Sequence, residues 1–416
     1  MASSGEPEDR GAEARPRLVT GALMLATVGG ELMTPWLATR CGHRVLLGAG
    51  LFLLGAPALV LTVSRSMEWI VAVCLVRGLG FAFTVVAGGA LTASLIPAER
   101  RGEGLALIGV VVGVPSLVGL PLGSWLAAHW GYGPVCTAAA LLALLSIAAV
   151  PGLPGREAAQ GPPLGVVVGA RSGALGRPTA VFALTAVGAG VVVTFLPLAL
   201  APGSSAVVAV ALFVQPAAAT ASRWLAGRRA DRRGASGLVV PGLVVSAAGI
   251  LMIALTGVPV AVVAGAAVFG CGFGIAQSAT ITLMYARVPP SGYATVSALW
   301  NVAYDAGMGI GAVGFGAVAA LTGYPWAFTL TALLMLTALA PAWWDRTTAR
   351  TRRTTTAEAR TRRTTTREAR TRPAATDQKQ GPGSAPPVPP RSAAQGLPSG
   401  VEGHRRGPVE GEASQE

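Results

Sequence analysis

Gly227-Arg-Arg-Ala-Asp-Arg-Arg-Gly234 joins an apolar run at 206–225 to another at 237–256. Each run matches the roughly 20 residues that a helix needs to cross the hydrocarbon of a bilayer. A dense arginine cluster between two such runs marks a connection held on one side of a membrane. Gly227 and Gly234 permit close packing and a turn at the ends of the loop. Asp231 can cap or approach the N-terminus of a neighbouring helix. This loop is therefore a joint between two spanning helices, and the rest of the chain can be read outward from it.

Further runs of the same kind lie at 18–37, 45–63, 69–96, 105–128 and 134–150, and then at 179–200, 259–285, 293–321 and 326–343. With the two runs around the joint they form a cluster of five and a cluster of six. The fold class expected is an all-α membrane protein, a helical bundle with about 11 transmembrane helices in two clusters. Composition agrees: 52% of the 416 residues are hydrophobic, 12% are charged, and the mean hydropathy is +0.57. Most of the 55 glycines lie inside Ala/Val/Leu runs, where membrane helices use them for close packing.

The net charge of +13 could suggest nucleic-acid binding, but the arginines gather in alternate short connections and in the tail. Arg40 and Arg44, Arg100 and Arg101, Arg156, Arg171 and Arg177, Arg228 to Arg233, and Arg287 occupy every second connection, which should be cytoplasmic. The other connections carry almost no basic residue, Arg65 excepted, and should face outward. This gives a multi-pass protein of the cytoplasmic membrane with its N-terminus outside and its C-terminus in the cytoplasm. The organisation expected is a polar segment at 1–17, a first half at 18–150, a cytoplasmic inter-half loop at 151–178, a second half at 179–344 and a tail at 345–416. The tail holds a ten-residue Arg/Thr repeat and then Pro, Gly and Ser, a composition that favours disorder. The polar start and the run behind it lack a cleavage site, so no cleaved signal peptide is expected.

The loop Gly227 to Gly234 resembles the G-x-x-x-D-R-x-G signature of major facilitator transporters. In the first half, Pro35-Trp-Leu-Ala-Thr-Arg-Cys-Gly-His-Arg44 looks like the same signature with Arg40, Gly42 and Arg44 kept, but with Pro35 and Thr39 where the family has Gly and Asp. The resemblance carried by these loop motifs turns the two clusters into two pseudo-symmetric halves of a major-facilitator-type bundle. It implies gating loops that latch the two halves, with Gly227, Asp231, Arg232 and Gly234 in one and Arg40, Gly42 and Arg44 in the other. In that family the loop follows the second helix. Here it follows the first apolar run, so by resemblance the usual first helix is absent from this sequence. Leu75-Val-Arg-Gly-Leu-Gly-Phe81 resembles the fourth-helix motif of the family, whose arginine is tied to proton coupling, which points to Arg77. Gly109, Gly113 and Pro115, followed by Gly119, Pro121 and Gly123, resemble the fifth-helix motif of antiporters, although the Gly-Pro step is interrupted. As plain helix packing, these small residues also let two backbones approach.

Asp305 lies deep in Trp300-Asn-Val-Ala-Tyr-Asp-Ala-Gly-Met-Gly-Ile-Gly311. A carboxylate there is costly to keep and can take up and release protons as access alternates. Asp305 is thus the leading proton-coupling candidate, with Arg77 and then Glu31 behind it. Hydrogen bonding for helix packing is the competing role of such an acid. Asn301, Tyr304, Gln215 and Gln277 are candidates to line the solute cavity. No phosphate loop occurs, and His43, His129 and His404 are scattered, so neither ATP-driven transport nor a metal site is expected. The four cysteines show no ligand spacing. No nucleophile or paired carboxylates sit within one span, so an enzyme is not expected.

The function expected is secondary active transport: proton-coupled efflux of a small, partly apolar compound by alternating access. No cofactor and no nucleic acid are involved, the partners are solute, protons and lipid, and the working unit is a monomer. Two alternatives stand beside it: an uptake symporter of the same fold, and a non-transporting or truncated membrane protein.

Overall fold

The structure is a computed structural model that describes residues 6–61, 63–64, 66–153 and 164–345, with side chains from residue 23 onward except those of 114, 116, 117, 120 and 121. The 345–416 tail beyond Asp345, the centre of the inter-half loop with Arg156, and Arg65 lie outside the described residues. Every regular element described is helical. The helices are α1 (Glu6–Cys41), α2 (His43–Val60), α3 (Met67–Leu95), α4 (Arg101–Trp130), α5 (Tyr132–Leu145), α6 (Val166–Arg171), α7 (Gly173–Ala199), α8 (Ser205–Arg233), α9 (Val239–Ile253), α10 (Pro259–Tyr285), α11 (Tyr293–Thr322) and α12 (Tyr324–Thr337). Among the described residues nine segments, built on α2, α3, α5 and α7 to α12, are long and apolar enough to cross a membrane. The long helices α1 and α4, whose side chains are described only in part, coincide with the other two expected runs.

Helix starts follow local chemistry. Ser66 caps α3 by accepting the Trp69 backbone N–H at 3.3 Å, and Ser172 caps α7 by accepting from Leu175 N–H at 3.3 Å. That second cap moves the seventh helix ahead of its expected start: α7 begins at Gly173, so Pro178 is inside it. The segment expected as a loop also carries the short helix α6. Pro57, Pro197 and Pro216 sit inside helices, as membrane helices tolerate.

The turns reveal an internal repeat. Gly42 ends α1 at φ +84° and Gly234 ends α8 at φ +86°; Gly131 ends α4 at φ +81° and Gly323 ends α11 at φ +79°. In each case the glycine N–H returns to a carbonyl four residues back, between 2.8 and 3.0 Å. The same number of residues separates Gly42 from Gly131 as Gly234 from Gly323. In that register α1 matches α8, α2 matches α9, α3 matches α10, α4 matches α11 and α5 matches α12. The starts of α4 and α11, and of α5 and α12, coincide residue for residue. Among the described helices α7 has no counterpart.

Within a half, α3 packs against α1 and α2, and α10 packs against α8 and α9. Between halves, α4 lies on α8 and α1 lies on α11. Following the chain from turn to turn brings Arg40, Arg44, Arg100, Arg101, Arg171, Arg177, Arg228 to Arg233 and Arg287 to one end of the bundle. At that end Arg287 forms a two-pronged ion pair with Asp345, at 3.0 and 2.6 Å, and donates to the Ala174 carbonyl at 2.7 Å. Large apolar side chains such as Leu25, Val111, Val260 and Val313 are exposed on the outer surface, as lipid-facing positions are.

Packing is unequal. Among the described side chains the largest fully buried ones are Tyr285, Phe182, Phe269, Phe328, several Leu, Ile and Met residues, and Glu31; all except Glu31 belong to α7 to α12. Among the described residues the first half closes mainly on smaller side chains, Ala82, Val86, Ala87, Ala90, Ala93 and Ala106, with Leu46, Val73 and Leu105.

Candidate functional site: the interface between the repeats

At the arginine-rich end, one carboxylate joins the two halves. Asp231 Oδ1 accepts the Gly102 backbone N–H at 2.7 Å, and Oδ2 accepts the Glu103 N–H at 2.8 Å. Both donors belong to the first turn of α4, where N–H groups lack helical partners and the helix dipole favours an anion. The contact needs bare backbone on both sides: a Cβ on Gly227 would collide with the Gly102 carbonyl, and one on Gly102 with the Gly227 carbonyl. Glu103 returns an ion pair to Arg228 at 3.4 Å. Arg232 is exposed.

The matching turn of the first half is built differently. Thr39 stands where Asp231 does and donates to its own helix at the Trp36 carbonyl, 2.8 Å away. Arg40 lies over the Trp36 ring at 4.1 Å, and Arg44 donates to the Pro151 carbonyl. A carboxylate clamp therefore exists on one side of the repeat.

In the middle of the bundle, Glu31 of α1 has no exposed surface and faces Asp305 of α11 within electrostatic contact. The hydroxyls beside Glu31 do not serve it, since Thr27 donates to Leu23 O at 2.9 Å and Thr34 to Gly30 O at 2.7 Å. Both Glu31 oxygens are buried, and among the described residues no hydroxyl, amide or cationic group donates to them, which leaves the Asp305 carboxyl as their partner. The two acids thus meet across the interface of the halves, α1 against α11. Arg77 is half-buried on α3 with its Nε unpartnered, and no ion pair links it to either acid among the described residues.

Beside Asp305, an aromatic cluster fills the second half. Phe182 of α7 stacks on Trp300 at 4.4 Å between centroids; Tyr304 stands 6.2 Å from Phe182 and 6.3 Å from Phe273. Each such pair adds about 0.5–1.5 kcal/mol beyond area burial. Asn301 turns to its own helix, donating to Ser297 O at 2.8 Å. Gln215 is buried on α8 where its carbonyl lies against Gly270, apart from Gln277, whose side chain meets Arg223.

Arg223 is the residue that sequence reading missed. It lies close before Gly227 and merges by eye with the charged loop, yet the helix carries it inward. Its guanidinium stands 5.8 Å from the Trp300 ring, its Nη1 donates to Gln277 Oε1 at 3.4 Å, and it lies in electrostatic reach of Tyr304. It fits there because it rests on Gly109, where a Cβ would overlap it. The repeat register could have found it: Arg223 precedes Gly234 by as many residues as Glu31 precedes Gly42.

The small-residue motif of α4 divides. Gly109 faces Arg223, and a Cβ on Gly113 would meet Thr220 of α8 at 3.1 Å, so this part packs on the other half. Pro115 is exposed, Gly119 and Gly123 have open space before them, and Pro121 lies outside the described side chains.

Comparison with known proteins agrees with this geometry. Residues 12–312 and 179–376 match the profile of the Major Facilitator Superfamily. The crystal structure of the human organic anion transporter MFSD10 (TETRAN) is similar with a TM-score of 0.65 at 18% identity, covering 78% of this chain and 82% of that one. The crystal structure of the E. coli fucose:proton symporter FucP is similar with a TM-score of 0.67 at 13% identity, covering 81% and 92%.

Proposed function

Because this chain belongs to the Major Facilitator Superfamily and is a multi-pass secondary transporter by fold, we propose that it couples a small, partly apolar solute to protons, in the direction of efflux. The observation that carries the proposal is the meeting of Glu31 and Asp305 across the interface of the halves. Two acids in contact within low dielectric cannot both stay charged, so a proton held between them changes the energy of closing α1 on α11. Arg77 biases the charge of the first half. Tyr304 and Gln277 line the solute side together with the aromatic cluster. Asn301, bonded to its own helix, and Gln215 stand as second-rank lining groups.

The Asp231 clamp on α4 supports alternating access. When it holds, the halves are joined at the arginine-rich end; releasing two charge-assisted hydrogen bonds lets that end open. Arginine clustering favours the cytoplasm for this end, and Asp345, paired with Arg287 there, favours a cytoplasmic C-terminus. The resemblance of the Gly109 motif to that of antiporters favours export. Both halves of the repeat lie in one chain, which supports the monomer as the working unit.

Everted membrane vesicles acidified inside, offered anionic, neutral and cationic aromatic dyes, test the proposal. Wild type is expected to accumulate at least one dye, and Glu31→Gln and Asp305→Asn to lose energised accumulation. Undiminished proton-driven accumulation in both variants overturns the coupling role, and accumulation only when vesicles are acidified outside, so that protons and dye enter together, replaces antiport by symport.

A further inference from the structure

We infer that Arg223 is an anion-binding group and that the solute carries a carboxylate on an aromatic or apolar body, an inference that rests on the transporter reading above. Its side chain is half-buried on the side of α8 that meets Gly109 of α4 and Gln277 of α10. A guanidinium in the interior of a membrane bundle is costly unless its charge is met. Among the described residues no carboxylate pairs with Arg223, and its Nε is buried without a partner.

What Arg223 does touch is insufficient for its charge. The contact with Gln277 is at 3.4 Å, the long limit of a hydrogen bond, and the Trp300 ring at 5.8 Å lies at the edge of cation–π range. A guanidinium offers five N–H donors in a planar fork, the shape that a carboxylate fills with two parallel bonds. The ring that flanks it stacks on Phe182 and stands near Tyr304, so the surface next to the charge suits an aromatic or apolar body. Tyr304 is in electrostatic reach of both Arg223 and Asp305, which places the anion site beside the acid pair.

The register of the repeat strengthens the assignment. Glu31 and Arg223 hold corresponding positions, so the two halves present an acid and a base from matching points of α1 and α8. Glu31 meets Asp305, whereas the place corresponding to Asp305 in α4 is Gly113. Arg223 therefore rests on a glycine, Gly109, where its counterpart faces an acid, and Gly113 itself lies against Thr220.

The full chain, purified in detergent, is heated with 2-naphthoate, 2-naphthamide or 2-naphthylmethylammonium at millimolar concentration. A ligand that binds only the folded state raises its melting temperature. The naphthoate is expected to raise the Tm of wild type by several degrees and the other two to leave it unchanged. Arg223→Lys is expected to lose at least half of that shift and Arg223→Gln all of it. A shift from the amide or ammonium probe equal to that of the carboxylate, no shift with the carboxylate, or an undiminished shift in Arg223→Lys overturns the inference. The wild-type comparison decides even if Arg223→Gln does not fold. Failure of the transporter reading looks different: vesicles that carry no dye sink transport while carboxylate binding persists, and vesicles that carry only neutral or cationic dyes sink the anion site while transport stands.

Discussion

Glu31 and Arg223 occupy the same position in the two repeats and carry opposite charges. Each precedes its turn glycine, Gly42 or Gly234, by the same count, and each points from its helix toward the interface of the halves. Duplication explains the shared placement, and divergence of the corresponding residue, Asp305 in α11 against Gly113 in α4, leaves an acid pair at one site and, among the described residues, a base without a carboxylate at the other.

Glu31 and Asp305 act through each other, so their substitutions are not additive. Glu31→Gln and Asp305→Asn are each expected to lower proton-driven accumulation by more than about ten-fold, and the double variant to be no worse than the poorer single one. Initial rates in acid-loaded everted vesicles check this.

Asp231→Asn keeps the shape of the clamp but removes its charge and turns an NH₂ group toward a backbone donor. Hydrogen bonds to a charged group contribute about 1.5–3 kcal/mol each, so transport is expected to fall about ten-fold or more. Cysteines placed at the arginine-rich end are expected to become more reactive toward a membrane-impermeant maleimide.

Gly234→Ala forces a side chain into a backbone region, φ +86° with ψ 137°, that only glycine visits freely. The cost is about 1–3 kcal/mol, and Gly42→Ala, at φ +84° and ψ 156°, is expected to match it. Gly237→Ala, with ordinary φ and open space around it, is expected to be neutral. Thermal melts in detergent compare the three.

Arg287→Ala removes the two-pronged contact to Asp345 and releases the Ala174 carbonyl. With both partners largely buried, a loss of roughly 2–4 kcal/mol is expected, and the double variant Arg287→Ala/Asp345→Ala is expected to recover part of it. The same melts measure this.

Much of the fold could be read from the sequence because a bilayer imposes one length on every span and the arginines alternate between connections. The loop from Gly227 to Gly234 marked the clamp, and Asp305 was visible as an acid in an apolar run. What pattern could not supply was pairing in space. Glu31 ranks below Asp305 in sequence because it lies near the cytoplasmic end of its run, where an interfacial or helix-pairing role is equally open, and its partner sits on a helix far along the chain. Arg223 was hidden by neighbouring arginines, since a helix face, not a composition window, turns it inward. The early start of α7 was missed because Pro178 reads as a stop, whereas Ser172 had already capped the helix.

The concentration of bulky buried side chains in α7 to α12 has a mechanical consequence. Large interlocked side chains bury more surface per contact than alanines do, so opening the packing around them costs more. Backbone amide exchange is therefore expected to be slowest around Phe182, Phe269 and Phe328 and fastest along α2 and α5, where few large side chains are buried.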